Sequence, residues 1–332
     1  MTFTHYLKEI ARGERSARDL PFDDAKQLFG AMLDGGVPDL ELGAILIALR
    51  FKTESVTELQ GFHAALDARL AQLKTPHTTL KPVVIPSYNG ARRQANLMPL
   101  LALLLKRLGV PVLVHGTLES EGRIATAYVL RELGILPQAN TRLAQEALQR
   151  DGIAFVPIGA LSPGLSNLLA LRSRLGLRSS AHTLAKLIDP FSAQGGGVRM
   201  VSVTHPAYAD KMKEFFAGQG QGGGTALLMR GTEGEAFANP KRRPQIDCFI
   251  DGRGTVLFEA EQGSLKTLPA LPDDCDARTT AQWVRETMDG AHSVPAPILN
   301  QLACCLYASG YSTDFAEAKA VAAVKARLPL AA

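Results

Sequence analysis

Apolar residues keep helical spacing over roughly the first 75 positions and change to short β-rich runs after residue 80. In the first stretch, Asp19-Leu-Pro-Phe-Asp-Asp-Ala-Lys reads as a helix start with acids in its first turn. LELGAILIAL, Leu40 to Leu49, holds its apolar residues at helical spacing, and Ser55-Val-Thr-Glu58 forms an S-x-x-E capping box for a helix running to about Leu73. The polar, proline-bearing LKTPHTTLKP (Leu73 to Pro82) is the linker. Beyond it, β-rich runs fall at Val83–Ile85, Val112–Val114, Ala154–Val156, Met200–Val203, Ala226–Met229 and Val256–Phe258. Helical patterns at 97–108, 123–133, 141–150 and 207–217 alternate with them, which predicts a wound, mostly parallel sheet covered by helices. One helical insert, 163–190, interrupts the rhythm and is placed to fold back on the N-terminal helices; helix resumes at 279–289, 295–308 and 313–327. Gly195–Gly197 and Gly218–Gly224 read as flexible connectors, and no internal repeat is visible.

Composition adds limits. The 332 residues are 46% hydrophobic and 20% charged, as in an ordinary soluble protein with one large core and a smaller second unit. The apolar run Leu100–Leu105 is far too short for a membrane span, and MTFTHYLKEIARGER has no apolar segment of a secretory signal. Cys248, Cys275, Cys304 and Cys305 show no C-x-x-C spacing, which points to reduced thiols in the cytoplasm.

Charge is unevenly placed. Residues 1–80 carry 9 Lys/Arg against 11 Asp/Glu, residues 81–200 carry 14 against 6, and residues 201–332 carry 13 against 15. A basic excess confined to the middle third suits a polyanionic partner, or else forms a solvated face. Three groups of residues bear on that choice. PSYNGARRQANLMPL, Pro86 to Leu100, has the strand–turn–helix layout of a phosphate-cradling loop, with Tyr88, Asn89, Arg92, Arg93 and Asn96 as candidate contacts. If its helix starts near Gln94, Arg92 and Arg93 lie where the helix dipole favours an anion, and Tyr88 offers a ring for base stacking. A surface turn with solvated arginines is the other reading. The run ALRSRLGLRSS supplies Arg172, Arg174 and Arg178, with Lys186 beyond it, although Gly176 interrupts that helix. In ANPKRRPQ, two prolines bracket Lys241-Arg242-Arg243 with no local acid, an extended triplet suited to phosphate contact or to solvent. His115 ends a strand, and Glu233 with Glu235 form either a magnesium-binding pair or a polar turn. G-x-x-x-x-G-K, H-E-x-x-H and G-x-S-x-G are all missing.

RDLPFDDAKQLFGAMLDGGVPDLELGAILIALRFKTESVTELQGFHAAL resembles the N-terminal helical domain of anthranilate phosphoribosyltransferase and its nucleoside-phosphorylase relatives, glycosyltransferase family 3. PAPILNQLACCLYASGYSTDFAEAKAVAAV is similar to that family's closing helices. The resemblance implies a small helical domain (1–75 plus 163–190) that dimerises, and an α/β domain (80–162 plus 191–332) with a phosphoribosyl-pyrophosphate-like cleft. It also implies losses. Against the family's G-T-G-G-D and N-I-S-T stand Pro86-Ser87-Tyr88-Asn89-Gly90 and Asn96-Leu97-Met98-Pro99, where only Asn96 is kept. K-H-G-N becomes Val114-His115-Gly116-Thr117, the lysine of S-S-K-S-G becomes Arg123, and the arginine facing the aromatic carboxylate matches Arg172. The magnesium-binding acids of G-L-D-E fall near Glu235-Ala236, so one carboxylate is lost.

A lost metal site with added arginines resembles the YbiB-type branch of that family, which implies nucleic-acid binding rather than catalysis. The expectation is a cofactor-free homodimer binding DNA or RNA, single-stranded and without sequence preference, through cations of the middle segment. The alternative is a phosphoribosyltransferase with an atypical donor site, needing Mg²⁺; a scaffold that binds neither ligand is a third reading.

Overall fold

The structure is a computed structural model that describes residues 3–13 and 16–326. The final residue of the helix expected at 313–327 lies outside them, as do the ends of the expected domains. In chain order the elements are α1 (Thr4–Ile10), α2 (Phe22–Leu33), α3 (Asp39–Lys52), α4 (Val56–Asp67), β1 (Val83–Ser87), α5 (Met98–Arg107), β2 (Val112–Gly116), α6 (Thr126–Glu132), α7 (Thr141–Asp151) and β3 (Ile153–Pro157). There follow α8 (Ile158–Leu161), α9 (Pro163–Ala170), α10 (Arg172–Leu175), α11 (Ser180–Leu184), β4 (Val198–Val203), α12 (Pro206–Gly218) and β5 (Thr225–Arg230). The chain closes with β6 (Ile246–Ile250), β7 (Arg253–Phe258), α13 (Ala277–Met288), α14 (Ala296–Ala308) and α15 (Phe315–Lys325).

The chain divides into two units. The first, Met1–Ala71 with Ile158–Ile188, has only helices as regular elements among the described residues. Its helices begin where the sequence supplies caps. The Ser55 hydroxyl accepts from Glu58 N–H, while the Glu58 carboxylate accepts from Ser55 N–H at 2.8 Å, closing the box read from the sequence. Glu58 is fully buried and also accepts from Leu20 N–H (3.0 Å) and Lys52 Nζ (2.7 Å), so one carboxylate ties three segments together. Phe29 of α2 stacks on Phe62 of α4 with ring centroids 5.0 Å apart.

The second unit, Gln72–Pro157 with Asp189–Ala332, carries a seven-stranded sheet in the order β3-β2-β1-β4-β5-β6-β7. β1 to β5 run parallel and β6 and β7 antiparallel. Both faces of the parallel strands are buried, and α5, α13 and α14 contribute Leu101, Leu105, Trp283, Leu302 and Cys305 to the core on the sheet. The strand order reverses between β1 and β4. In an open α/β sheet, the crevice at the carboxyl ends of such a pair is where ligands are held. The segment after β1, Tyr88 to Leu97, lies there.

Candidate functional site

The segment after β1 turns sharply at Gly90, whose φ of +64° is left-handed. A Cβ there would stand 2.9 Å from the Ile124 carbonyl, so only glycine fits without a shift. Next, Ala91 and Ile124 exchange two backbone hydrogen bonds (2.9 and 2.7 Å), pinning the loop to the start of α6. Five consecutive or near-consecutive N–H groups then point inward. Those of Asn89 and Gly90 donate to Glu235 Oε1 at 2.7 and 2.6 Å. Those of Arg93 and Gln94 donate to Glu233 Oε1 at 2.7 and 3.0 Å, and that of Arg92 reaches Glu233 Oε2 at 3.2 Å. The loop has the donor array of an anion site, and two carboxylates of the same chain fill it.

The partner turn, Thr232 to Glu235, is shaped for this role. Glu233 holds a left-handed φ of 52°, an unfavourable backbone for a residue with a side chain, offset by the three N–H groups it receives. Gly234 has φ +92°, and a Cβ on it would meet Asn89 Nδ2 at 2.6 Å; the same amide donates to the Gly234 carbonyl at 2.7 Å. Arg123 is half-buried, donates to the Gly90 carbonyl (3.2 Å) and lies 3.5 Å from Glu233 Oε2. The acids read as a magnesium pair or a polar turn thus act as an internal anion.

Several expected contacts are corrected by burial. Tyr88 is 5% exposed, with its hydroxyl 2.7 Å from His115 Nδ1 and its ring edge-on to that imidazole, so it has no open face for a base. Burial, followed by the nearby Glu235, pushes its phenol well above the ordinary range. His115 is fully buried, and burial lowers it to about 3; it is a neutral ring and not a phosphate ligand. Asn96 is also fully buried: its amide donates to Thr126 Oγ1 at 2.7 Å and its carbonyl accepts from Met98 N–H at 3.2 Å. Its role is to start α5. That helix begins at Met98 rather than near Gln94, with Pro99 in its first turn and both residues buried, so Arg92 and Arg93 lie outside its first turn. Asn89 is buried and holds Gly234.

The cations sort differently. Arg92 and Arg93 are exposed, and their guanidinium groups make no ion pair among the described residues. Lys241 and Arg242 are likewise exposed in a turn organised by Asn239, whose Oδ1 accepts from Lys241 N–H at 2.9 Å. The triplet is non-helical as expected, but Arg243 pairs with Glu261 at 2.5 Å, a partner 18 residues downstream. Arg172, Arg174, Arg178 and Lys186 belong to the helical unit. There, burial and then the charges of Arg178, Arg172 and Lys186 lower His182 to about 4. Arg174 instead reaches Asp39 at 3.9 Å across an exposed surface. No local pattern pointed to Arg230, which is exposed at the end of β5.

At the loop, Glu235 Oε1 accepts two N–H groups and both oxygens of Glu233 are engaged, while Glu235 Oε2 is buried without a hydrogen-bond partner. Among the described residues no three His, Cys, Asp or Glu side chains are grouped to hold a metal ion. No helix among them is long and apolar enough to cross a membrane.

A helical unit and an α/β unit with a loop at the reversal point of its sheet are the two parts of the anthranilate phosphoribosyltransferase fold. Residues 4–69 match the helical bundle domain of the glycosyl transferase family. The fold is similar to anthranilate phosphoribosyltransferase of Thermus thermophilus, with a TM-score of 0.73 and 21% identity over 93% of this chain and 92% of that one. An anthranilate phosphoribosyltransferase of Desulforudis audaxviator is 28% identical over 64% of this chain and 59% of its own length. The YbiB protein of Escherichia coli K12 is 46% identical over 96% of this chain and 97% of its own length. The chain belongs to the anthranilate phosphoribosyltransferase-like family, in its YbiB-type branch.

Proposed function

We propose that this protein binds nucleic acid by its phosphate backbone, with little sequence preference, and does not transfer a phosphoribosyl group. One observation carries the reading: the N–H groups a diphosphate would need already donate to Glu233 and Glu235. An incoming diphosphate meets two carboxylates instead of open donors, and like charges at such range repel. Arg92, Arg93, Lys241 and Arg242 in the same unit keep exposed cations with no ion pair among the described residues. Guanidinium and ammonium groups of that kind supply backbone contacts that are independent of base identity.

Fluorescence anisotropy with a labelled single strand, repeated over a salt series, tests the reading. Each phosphate contact contributes roughly −0.7 to the log–log slope, so four contacts give about −3. Replacing Arg92 and Arg93 by alanine flattens the slope by roughly 1.4. Absence of salt-dependent binding to either DNA or RNA defeats the proposal. Micromolar binding of phosphoribosyl pyrophosphate with Mg²⁺ in a calorimeter would instead favour transfer.

A further inference from the structure

We infer that the cavity at the carboxyl ends of β4 and β5 is a separate anion site, built for a phosphomonoester carried on a group of nucleoside size. Its volume is about 560 Å³, inside the range of roughly 300–1,000 Å³ that holds small ligands. Val203 from β4 and Leu228 and Met229 from β5 form an apolar wall. Thr204, Asn239 and Gln245 add polar groups; Asn239 spends its carbonyl oxygen on Lys241 N–H and keeps its NH₂ for a ligand. A flat ring and a pentose suit that mixture of surfaces.

Charge selects the remainder of the ligand. Four cations and three carboxylates line the cavity. Lys213 lies 3.5 Å from Asp247, Arg243 lies 2.5 Å from Glu261, and Glu233 faces the amides of the β1 loop. Asp247 and Glu261 are therefore matched within the wall, and Glu233 is matched from outside it by the β1-loop amides and Arg123. Arg230 and Arg242 remain, with no ion pair among the described residues, and both line the cavity. Two forked guanidinium groups on one cavity match the double charge and the oxygens of a terminal phosphate. The N-terminus of α12 lines the same cavity through His205 and Pro206, with no acid in its first turn, and adds to that positive field.

The phosphomonoester has two possible sources: a free mononucleotide, or the 5′-phosphorylated end of a strand. Isothermal titration of the full chain with AMP, adenosine and a hexanucleotide carrying either a 5′-phosphate or a 5′-hydroxyl separates them. AMP is expected to bind about tenfold or more tightly than adenosine, because charged hydrogen bonds to phosphate are lost in the latter. Arg230→Ala and Arg242→Ala each weaken AMP by about tenfold or more. Arg230→Lys, which keeps the charge, recovers part of the loss, and Arg278→Ala on α13 changes nothing. Preference for the 5′-phosphorylated over the 5′-hydroxyl strand, at AMP-like affinity, assigns the site to strand ends; AMP binding without that preference assigns it to free mononucleotides. The inference is overturned if AMP does not bind, if adenosine binds equally, or if Arg230→Ala leaves AMP unaffected in a variant whose circular dichroism is native. The inference shares Arg242 with backbone binding but is tested apart from it, through Arg230 on the one side and the salt slope of the Arg92→Ala/Arg93→Ala variant on the other.

Discussion

Glu235→Ala asks directly whether an internal carboxylate fills the anion loop. The substitution removes the acceptor of Asn89 N–H (2.7 Å) and Gly90 N–H (2.6 Å), both in a fully closed environment. A buried donor left without a partner costs roughly 1–3 kcal/mol, so the two together come to about 2–6 kcal/mol. The loss is partly offset because Glu235 Oε2 is buried without a hydrogen-bond partner and its desolvation cost disappears with it. Glu235→Gln keeps the Oε1 acceptor and costs less, about 1–2 kcal/mol. Urea unfolding measures all three proteins, first in chloride and then in phosphate or sulfate at matched ionic strength. In the alanine variant the emptied loop recruits the added anion; at ten times its dissociation constant this restores about 1.4 kcal/mol, and the wild type responds less. A Glu235→Ala protein within about 0.5 kcal/mol of wild type, or one indifferent to phosphate and sulfate, would falsify the internal-anion account.

Three further outcomes follow from particular contacts. Stability falls with acid below pH 6.5, because burial holds His115 at about 3 and burial with its cationic neighbours holds His182 at about 4, while both titrate near 6.5 when unfolded. The unfolded chain thus binds more protons in that window, so unfolding free energy rises with pH there and His115 alone contributes on the order of 5 kcal/mol; chemical denaturation from pH 3 to 7 checks the sign, and His115→Gln flattens the curve. Glu58→Ala leaves Leu20 N–H, Ser55 N–H and Lys52 without their shared acceptor and is expected to cost about 3–5 kcal/mol in thermal or urea unfolding, with a cost under 1 kcal/mol counting against its role as a tie. Tyr88→Phe removes a buried hydroxyl contact to His115 and lowers stability by about 1–2 kcal/mol, while Tyr88→Leu leaves strand affinity at wild-type level; a large loss of affinity in the leucine variant, with the fold intact, restores the ring as a stacking surface.

Local pattern made most of the fold legible. The switch from helical spacing to alternating runs, the Ser55–Glu58 box and the 163–190 insert correspond to α4, the parallel strands and α9 to α11. β6 escaped notice because IDCFI carries Asp247 inside a short run, and that carboxylate is accommodated by Lys213 at 3.5 Å. A signal did exist: Asp251-Gly252 has left-handed φ values of 48° and 79°, the two-residue turn that pairs Ile250 with Arg253. The start of α5 at Met98 agrees with the helical pattern read at 97–108; the conditional start near Gln94 put Pro99 at the sixth helical position, where it fits less well than in a first turn.

The candidate site was less legible because its governing contacts are long-range. Glu233 and Glu235 meet the loop across 139 to 146 residues, and no local spacing in GTEGE reveals that. The consequence is chemical. A carboxylate fixed on the same chain competes with a free diphosphate at an effective concentration of millimolar or above, and here two act together against one ligand. A polymer need not displace them. Under the proposed function its phosphates would approach the exposed Arg92, Arg93, Lys241 and Arg242 from solvent, each contact adding to affinity without opening the loop. The same internal anions also spend the loop's N–H groups while leaving those side chains uncompensated. Around Gly90 the two features are one arrangement: the loop's N–H donors are taken by Glu233 and Glu235, and the guanidinium groups of Arg92 and Arg93 stay exposed.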